Sequence, residues 1–421
     1  MVAESRVRHL FGRHEVRGLI QDDWKRYDAR HLEIRAGFQR GFFRLAKRLD
    51  DLQGQRHPMP CSEDLLLEAK WLLNYRADWT RLSRLLVLLE DSLKQHDQPA
   101  RTQREDGSWA ECVTEPYRKL EPTVDFLQAD DFAVEKARPL AFMRPLADPA
   151  TLSAYLWRLQ TSDIAADGIN KRDELGSVQS ALSQLFNKGT LIARLESPRL
   201  GFKATPELKN AYADFMATTQ HPVNGYWGPW YSSRGEVAKV QDLSFTFHHV
   251  HFLKGKVANL DRIVATTLDI RDHAYPNGWQ AEDGTFNNHN YYDVAQIFQH
   301  GWHVIDDSRR VAIAAEMVTG LRRSLSESLI GDKFNGINGI EDQYFGVMFL
   351  DRAGYFDAAQ RFWRLAPDAP PPQLPADLPP AAAVATRLLR GFGQFDDGSQ
   401  RATDIRKILA GAASGPAPPT A

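Results

Sequence analysis

Gly225-Tyr226-Trp227-Gly228-Pro229-Trp230, followed by Asp242-Leu243-Ser244-Phe245-Thr246-Phe247-His248-His249-Val250-His251-Phe252-Leu253, decides the fold class. The first part is a Gly-rich aromatic loop. The second opens with a carboxylate suited to the positive end of a helix and is apolar on most of its sides. A helix that is hydrophobic nearly all round must be buried nearly all round, so this is an inner helix. The same succession returns twice. Gly278-Trp279 precedes a helix over about 291–305, and Phe334-Asn335-Gly336 precedes one over 341–350. Asp242, Asp293 and Asp342 each open an inner helix on this reading, 51 and 49 residues apart, and a period of about 50 residues marks a structural repeat.

Amphipathic helices lie between these segments. Thr205-Pro206-Glu207 supplies a cap, a proline suited to the first helical position and an acid for the first turn. Leu208, Ala211, Tyr212, Phe215 and Met216 then form one apolar face. Helices starting at Asn259 and near Asp307 show the same period, and all three read as outer members of helix pairs. Towards the N-terminus, Asp173 opens a helix through Val178, Leu182, Leu185 and Phe186, and Ser62 opens another through Leu65, Ala69 and Leu72. A poorer candidate at 116–127 is broken by Pro122. Inner helices near 62, 118, 173, 242, 293 and 342 make six, and convincing period-2 strands are absent. The expectation is an all-α fold, an (α/α)6-type toroid of helical hairpins over 1–365, clearest at 205–350. An open solenoid of hairpins is the alternative. Residues 366–380 form a Pro-rich connector, 381–410 a C-terminal helical segment and 411–421 a disordered tail.

The chain has 421 residues, 43% hydrophobic and 25% charged, which are globular values. A formal charge of −2 gives no electrostatic case for nucleic acid or an anionic membrane. Cys61 and Cys112 make neither a disulfide framework nor a metal-ligand spacing, so a reducing compartment is the simpler expectation. No apolar run approaches membrane-spanning length, and residues 1–18 lack a signal-peptide stretch. A cytoplasmic location is expected, with a secreted form lacking its leader left open.

An outer helix, a Gln, a Gly-Trp loop and an inner helix opening with Asp together resemble the prenyltransferase, squalene–hopene and terpene-cyclase toroids. Gln220, Gly225-Tyr226-Trp227 and Asp242 carry the likeness, and again Gly278-Trp279 and Asp293, over roughly 205–350. The resemblance implies the ring, but this chain departs from both activities of the group. The acid motif DxDD is represented only by Val304-Ile305-Asp306-Asp307, and neither cysteine stands where a prenyltransferase zinc would need it. A second, local resemblance joins Asp283-Gly284-Thr285-Phe286-Asn287-Asn288-His289-Asn290-Tyr291 to the DG(S/T)(F/Y)xxH segment of helical-toroid polysaccharide lyases and the NNHxY segment of alginate lyases. It implies that Asn288 neutralises a uronate carboxylate while His289 and Tyr291 move protons. Arg234 is offered for the arginine of such sites.

Inner-helix N-termini present free N–H groups, and adjacent Asn side chains add donors without charge. Asn288, His289 and Tyr291 therefore form the expected catalytic set. The structural alternative is that Asn287 and Asn288 cap the helix while His289 bonds a loop carbonyl. His249 and His300 stand seven residues after Asp242 and Asp293, two turns on and on the same face. No carboxylate completes a metal site around His248, His249 and His251, so no metal is expected. Tyr226, Trp227, Trp230, Trp279, Tyr292 and Tyr344 as a set favour a ligand rim, although each alone would serve equally to fill space. With Arg234, Asp283, Asn287, Asp293, His249 and His300 they make the expected substrate-binding set. Such polar groups, Gln296 among them, fit a hydroxylated ligand better than a bare hydrocarbon. The expectation is a carbohydrate-active enzyme with a central polar-aromatic cavity, a β-eliminating lyase on a uronate-containing saccharide. It would take a small-molecule or oligosaccharide substrate, without cofactor, nucleic acid or membrane span. A terpenoid cyclase-like or isoprenoid-binding protein, a glycoside hydrolase using acids such as Asp283 and Asp293, and a non-catalytic toroid remain open.

Overall fold

The computed structural model describes residues 6–10, 12–53, 59–95, 102–109, 112, 116–128, 132–281, 285–329, 339–364, 370–392 and 400–414. The chain is mostly helical and divides into two compact units. Unit 1 comprises Met1–His221 and Tyr226–Leu253, and unit 2 comprises Pro222–Gly225 and Lys254–Ala421.

Unit 1 begins with β1 (Arg6–Leu10), α1 (Arg13–Tyr27), α2 (His31–Gln53), α3 (Pro60–Tyr75), α4 (Trp79–Ser92) and α5 (Pro116–Gln128). It continues with α6 (Pro149–Gln160), β2 (Thr161–Ser162), α7 (Ile164–Asp167), α8 (Arg172–Asn187), α9 (Gly189–Leu195) and α10 (Pro206–Thr219). It closes with β3 (Trp230–Ser233), β4 (Glu236–Val240) and α11 (Leu243–Phe252). Helix α8 lies at the middle, packed by α3, α5, α6, α9 and α11. Its buried Leu175, Val178, Leu182 and Leu185 explain why one amphipathic helix can serve so many neighbours.

A small sheet stands within this mostly helical chain, although no period-2 strand was expected from its sequence. Its order is β1-β4-β3-β2, with β3 and β4 antiparallel, β1 parallel to β4 and β2 parallel to β3. Arg234 (φ 53) and Gly235 (φ 78) turn the β3–β4 hairpin, the two positive φ angles that a tight two-residue turn requires. Strands this short carry too few residues for alternation to stand out from a helical background. Leu10, Tyr231, Ala238 and Val240 bury one face with Val16, Trp24 and Ile164.

Cys61 and Cys112 are disulfide-bonded, with Cα atoms 5.3 Å apart. The expectation of two free thiols is overturned, and with it the ground for a reducing compartment. The bond joins the first turn of α3 to the segment ahead of α5, a proximity that no spacing in the sequence encodes.

Unit 2 contains α12 (Leu260–Asp269), α13 (Asn288–Gly301), α14 (Asp307–Arg323), α15 (Gly339–Arg352), α16 (Ala381–Phe392) and α17 (Gln400–Ala413). Helix α13 packs on α12, α14 and α15, and α17 packs on both α15 and α16. Every described residue from Asn290 to Phe298 is buried, as an inner helix demands. The C-terminal helices belong to this core through Leu388, Phe392, Ile405 and Leu409. Helix α17 runs past the expected start of the tail at 411, and residues 415–421 lie outside those described. In the Pro-rich segment, Pro372 and Pro379 carbonyls accept bonds from Arg361 Nη1 (2.7 Å) and Tyr355 Oη (2.6 Å). Among the described residues no helix is long and apolar enough to cross a membrane.

Candidate functional site

The Gly-Trp loops turn out to be helix terminators. Trp227 Nε1 donates to the Met216 carbonyl (2.8 Å) in the last turn of α10, and Trp279 Nε1 donates to the Thr267 carbonyl (2.7 Å) in the last turn of α12. Trp363 Nε1 bonds the Ala353 carbonyl (2.9 Å) just after α15 in the same way. A helix leaves its last carbonyls without partners, and a buried indole supplies one. A Cβ on Gly278 would stand 2.3 Å from the Ile270 carbonyl, so only glycine lets this loop approach the helix end. Trp227, Trp279 and Tyr226 are buried, which places them in the packing and not on a ligand rim.

The start of α13 shows what became of the expected catalytic set. Asn287 is the N-cap, its side chain accepting from Asn290 N (3.1 Å). Asn288 Oδ1 accepts from Ser324 Oγ (2.7 Å), and Asn290 Nδ2 donates to the Trp279 carbonyl (2.8 Å). The amides expected to face a ligand thus hold the helix in place. Asp293 lies six residues beyond this cap and does not open the helix. The equivalent of Asp242, which does cap α11 through Phe245 N (3.2 Å), is Asn287. In that register the seventh residue after the cap is His249 in one helix and Val294 in the other, so the shared offset of His249 and His300 is a coincidence of counting.

His289 and Tyr291 leave the helix in different directions, as residues two apart must. His289 stacks flat on Phe345 (centroids 3.7 Å) with Nε2 3.7 Å from Asp293 Oδ1. Burial, then the Arg401 charge, pushes its imidazole down to about 4. Tyr291 is wedged among Phe286 (4.4 Å), Trp279 (5.6 Å) and Phe349 (5.8 Å), and burial raises its hydroxyl above the usual range. The structure therefore groups His289 with Asp293 and Tyr292, and separates it from Tyr291. Tyr292 is buried against Phe345, and Tyr344 lies half-buried with the Arg401 guanidinium 5.7 Å above its ring. Burial raises both phenols. His300 is half-buried, its imidazole lowered by burial and then by Arg352. Asp283 and the side chain of Asp342 lie outside the described residues.

The remaining expected residues belong to unit 1. His249 is wholly buried between Ser183 Oγ (3.1 Å) and Gln179 Oε1 (3.1 Å), its imidazole held well below the ordinary value by burial and then by His248. It is a core histidine. Arg234 sits in the hairpin turn, exposed, and pairs with Asp22 of α1 (3.2 Å). Trp230 lies on β3 under the Lys239 ammonium, 4.0 Å from the ring centre.

A cavity of about 120 Å³ opens in unit 1 where α5, α8 and α11 meet. Ser177, Ser180 and Gln184 line it from α8, Ser244 and His248 from α11, and Glu121 from α5. Phe245 forms an aromatic wall, with Arg172 and Asp173 at the leading end of α8. The two charges at that end are tied down. Arg172 Nε donates to Asp242 Oδ2 (2.6 Å) and Arg118 Nη2 donates to Asp173 Oδ2 (2.6 Å). Asp242 thus joins two helices, capping α11 with one oxygen and holding Arg172 of α8 with the other. Sequence reasoning missed this pocket. The available signal was Ser177, Ser180 and Gln184 at helical spacing on a helix already read as inner. A polar stripe on a buried helix needs either partners or a cavity.

Among the described residues no group of three or more His, Cys, Asp or Glu is placed to hold a metal ion. No protein-family model, curated protein or solved structure matches the chain.

Proposed function

We propose that the chain is a carbohydrate-active protein that holds a hydroxylated small molecule in the α5–α8–α11 pocket. The lining carries the reading. Three serine hydroxyls, an amide, an imidazole, a guanidinium and two carboxylates line one small cavity with a single aromatic wall. A hydroxyl-rich ligand replaces the water bonds of such groups, and Phe245 can meet its C–H face. A bare hydrocarbon offers these groups no hydrogen bond, which weighs against an isoprenoid.

For the reaction, hydrolysis of a glycosidic bond needs two carboxyl groups flanking it, and the pocket carries two, Glu121 and the Arg118-paired Asp173. Elimination from a uronate is less well supported. An imidazole held near 4 is a weak base at neutral pH, and Tyr291 lies on another face of the helix. The (α/α)6-type ring belongs to the same proposal: α8 packs on α5 and α11, and α13 on α15, as neighbouring inner helices do in such folds.

Calorimetric titration with a panel of neutral, amino and uronic monosaccharides and disaccharides tests the pocket. One class should bind wild type and lose at least about tenfold in affinity in Ser180→Met, whose longer side chain fills the cavity. Binding unchanged by Ser180→Met, or silence across the whole panel, would refute it.

A further inference from the structure

The sheet of unit 1 has a second face that the pocket does not use. Since Leu10, Tyr231, Ala238 and Val240 point into the core, their neighbours His9, Trp230 and Lys239 point away from it. The register sets these three side by side. Trp230 pairs with Lys239 across β3 and β4, and Lys239 pairs with His9 across β4 and β1. Thr161 of β2 continues the row beyond Trp230. Strands lie about 4.8 Å apart, so the row from Thr161 to His9 is roughly 14 Å long.

Both ends of the row are extended. Trp157 of α6 is 40% exposed, with its ring 6.1 Å from that of Trp230. His221 Nε2 lies 2.7 Å from His9 Nδ1 at the other end. Val7, Val237 and Ser232 occupy the remaining strand positions on this side, and none is acidic. The acid of β4, Glu236, alternates to the opposite side and pairs with Arg8 (3.5 Å). Lys239 therefore gives the outer face a positive centre directly beside an aromatic ring.

We propose that this row is a binding surface for an acidic oligosaccharide. Trp157 offers flat apolar surface to the C–H face of a sugar ring, and Trp230 beside it carries the Lys239 ammonium 4.0 Å above its own ring. Held there, the ammonium can pair with a ring carboxylate of a bound acidic sugar through a charge-assisted bond. The His9–His221 pair closes the row at its other end. Burial, then His9 and Lys239, lowers His221 to about 4, so it is neutral at pH 7 and does not add a second cation. A peptide would instead pair its backbone along an edge strand. These residues are disjoint from the pocket, and the inference does not rest on it.

The probes are a uronic-acid hexamer, a neutral glucose hexamer and a glutamate hexamer, titrated by calorimetry into the intact protein. The uronic-acid hexamer should bind more tightly than the other two, and more weakly as salt is added. Trp230→Ala and Lys239→Gln should each weaken it at least about tenfold, while Trp230→Phe and Lys239→Arg keep most of the binding. Arg30→Gln, at an exposed position outside both the row and the pocket, should leave it unchanged. Absence of uronate binding, indifference to both substitutions, or equal affinity for the glutamate hexamer would overturn the assignment. Loss of uronate binding in Ser180→Met with none in Trp230→Ala would do so too, while leaving the pocket reading intact.

Discussion

Replacing Cys61 and Cys112 together by serine removes a crosslink that closes 51 residues of chain. In the folded protein the change is small, because the two Cα atoms stay near 5.3 Å apart through the packing around them. The effect falls mainly on the unfolded chain, which regains the freedom to separate those two points. A closed loop of this length restricts the unfolded ensemble by about 4 kcal/mol at 25 °C on the chain-entropy account. For a unit of roughly 250 residues, each kcal/mol moves the melting temperature by about 2–4 °C, so the double variant should melt roughly 8–16 °C lower. Scanning calorimetry with and without a thiol reductant measures this. Wild type should fall to the level of the variant when reduced, and the variant should ignore the reductant. Two titratable thiols in denatured, unreduced wild type, or melting temperatures within a degree of each other, would refute the reasoning. The first result denies the bond and the second denies that it closes a loop the fold depends on.

Trp279→Phe keeps the ring but removes the donor to the Thr267 carbonyl, and with it a buried hydrogen bond. It should cost about 1–3 kcal/mol in urea unfolding while ligand binding to unit 1 stays as in wild type, and binding loss without destabilisation would contradict a structural role. His31, buried flat against Trp24 (centroids 4.0 Å), is pushed down to about 4 by burial, then by Arg35. Its unfolded form takes up a proton near 6.5 that the folded form refuses, so its contribution to stability is present above about 6.5 and is lost as pH falls towards 4. Denaturation midpoints should therefore drop across that window in wild type, and less steeply in His31→Phe. Identical pH profiles would sink the assignment.

Helix starts were readable where they depend on one or two side chains. Thr205 accepts from Leu208 N (3.2 Å) ahead of Pro206, as the Thr-Pro-Glu run indicates, and Asp242 caps α11. The first turn of α13 shows how little error such reading tolerates. A start at 288 instead of about 291 brings His289 into the helix, where it and Tyr291 are fixed about 200° apart. A loop His289 would have been free to turn towards Tyr291, and a helical one is not. The recurring Trp was legible as a repeat, but its use was not, because an indole that ends a helix and one that stacks on a ligand have the same sequence.

Periodicity and capping act between residues three or four apart, and these the chain settles by itself: a mostly helical protein, alternating amphipathic helices with helices buried all round. The sheet, the disulfide and the pocket were decided by tertiary structure. They join Arg6–Leu10 to Glu236–Val240, Cys61 to Cys112, and Ser180 to Ser244. No local preference favours one distant partner over another, and only the packing of the intervening helices brings each pair within reach.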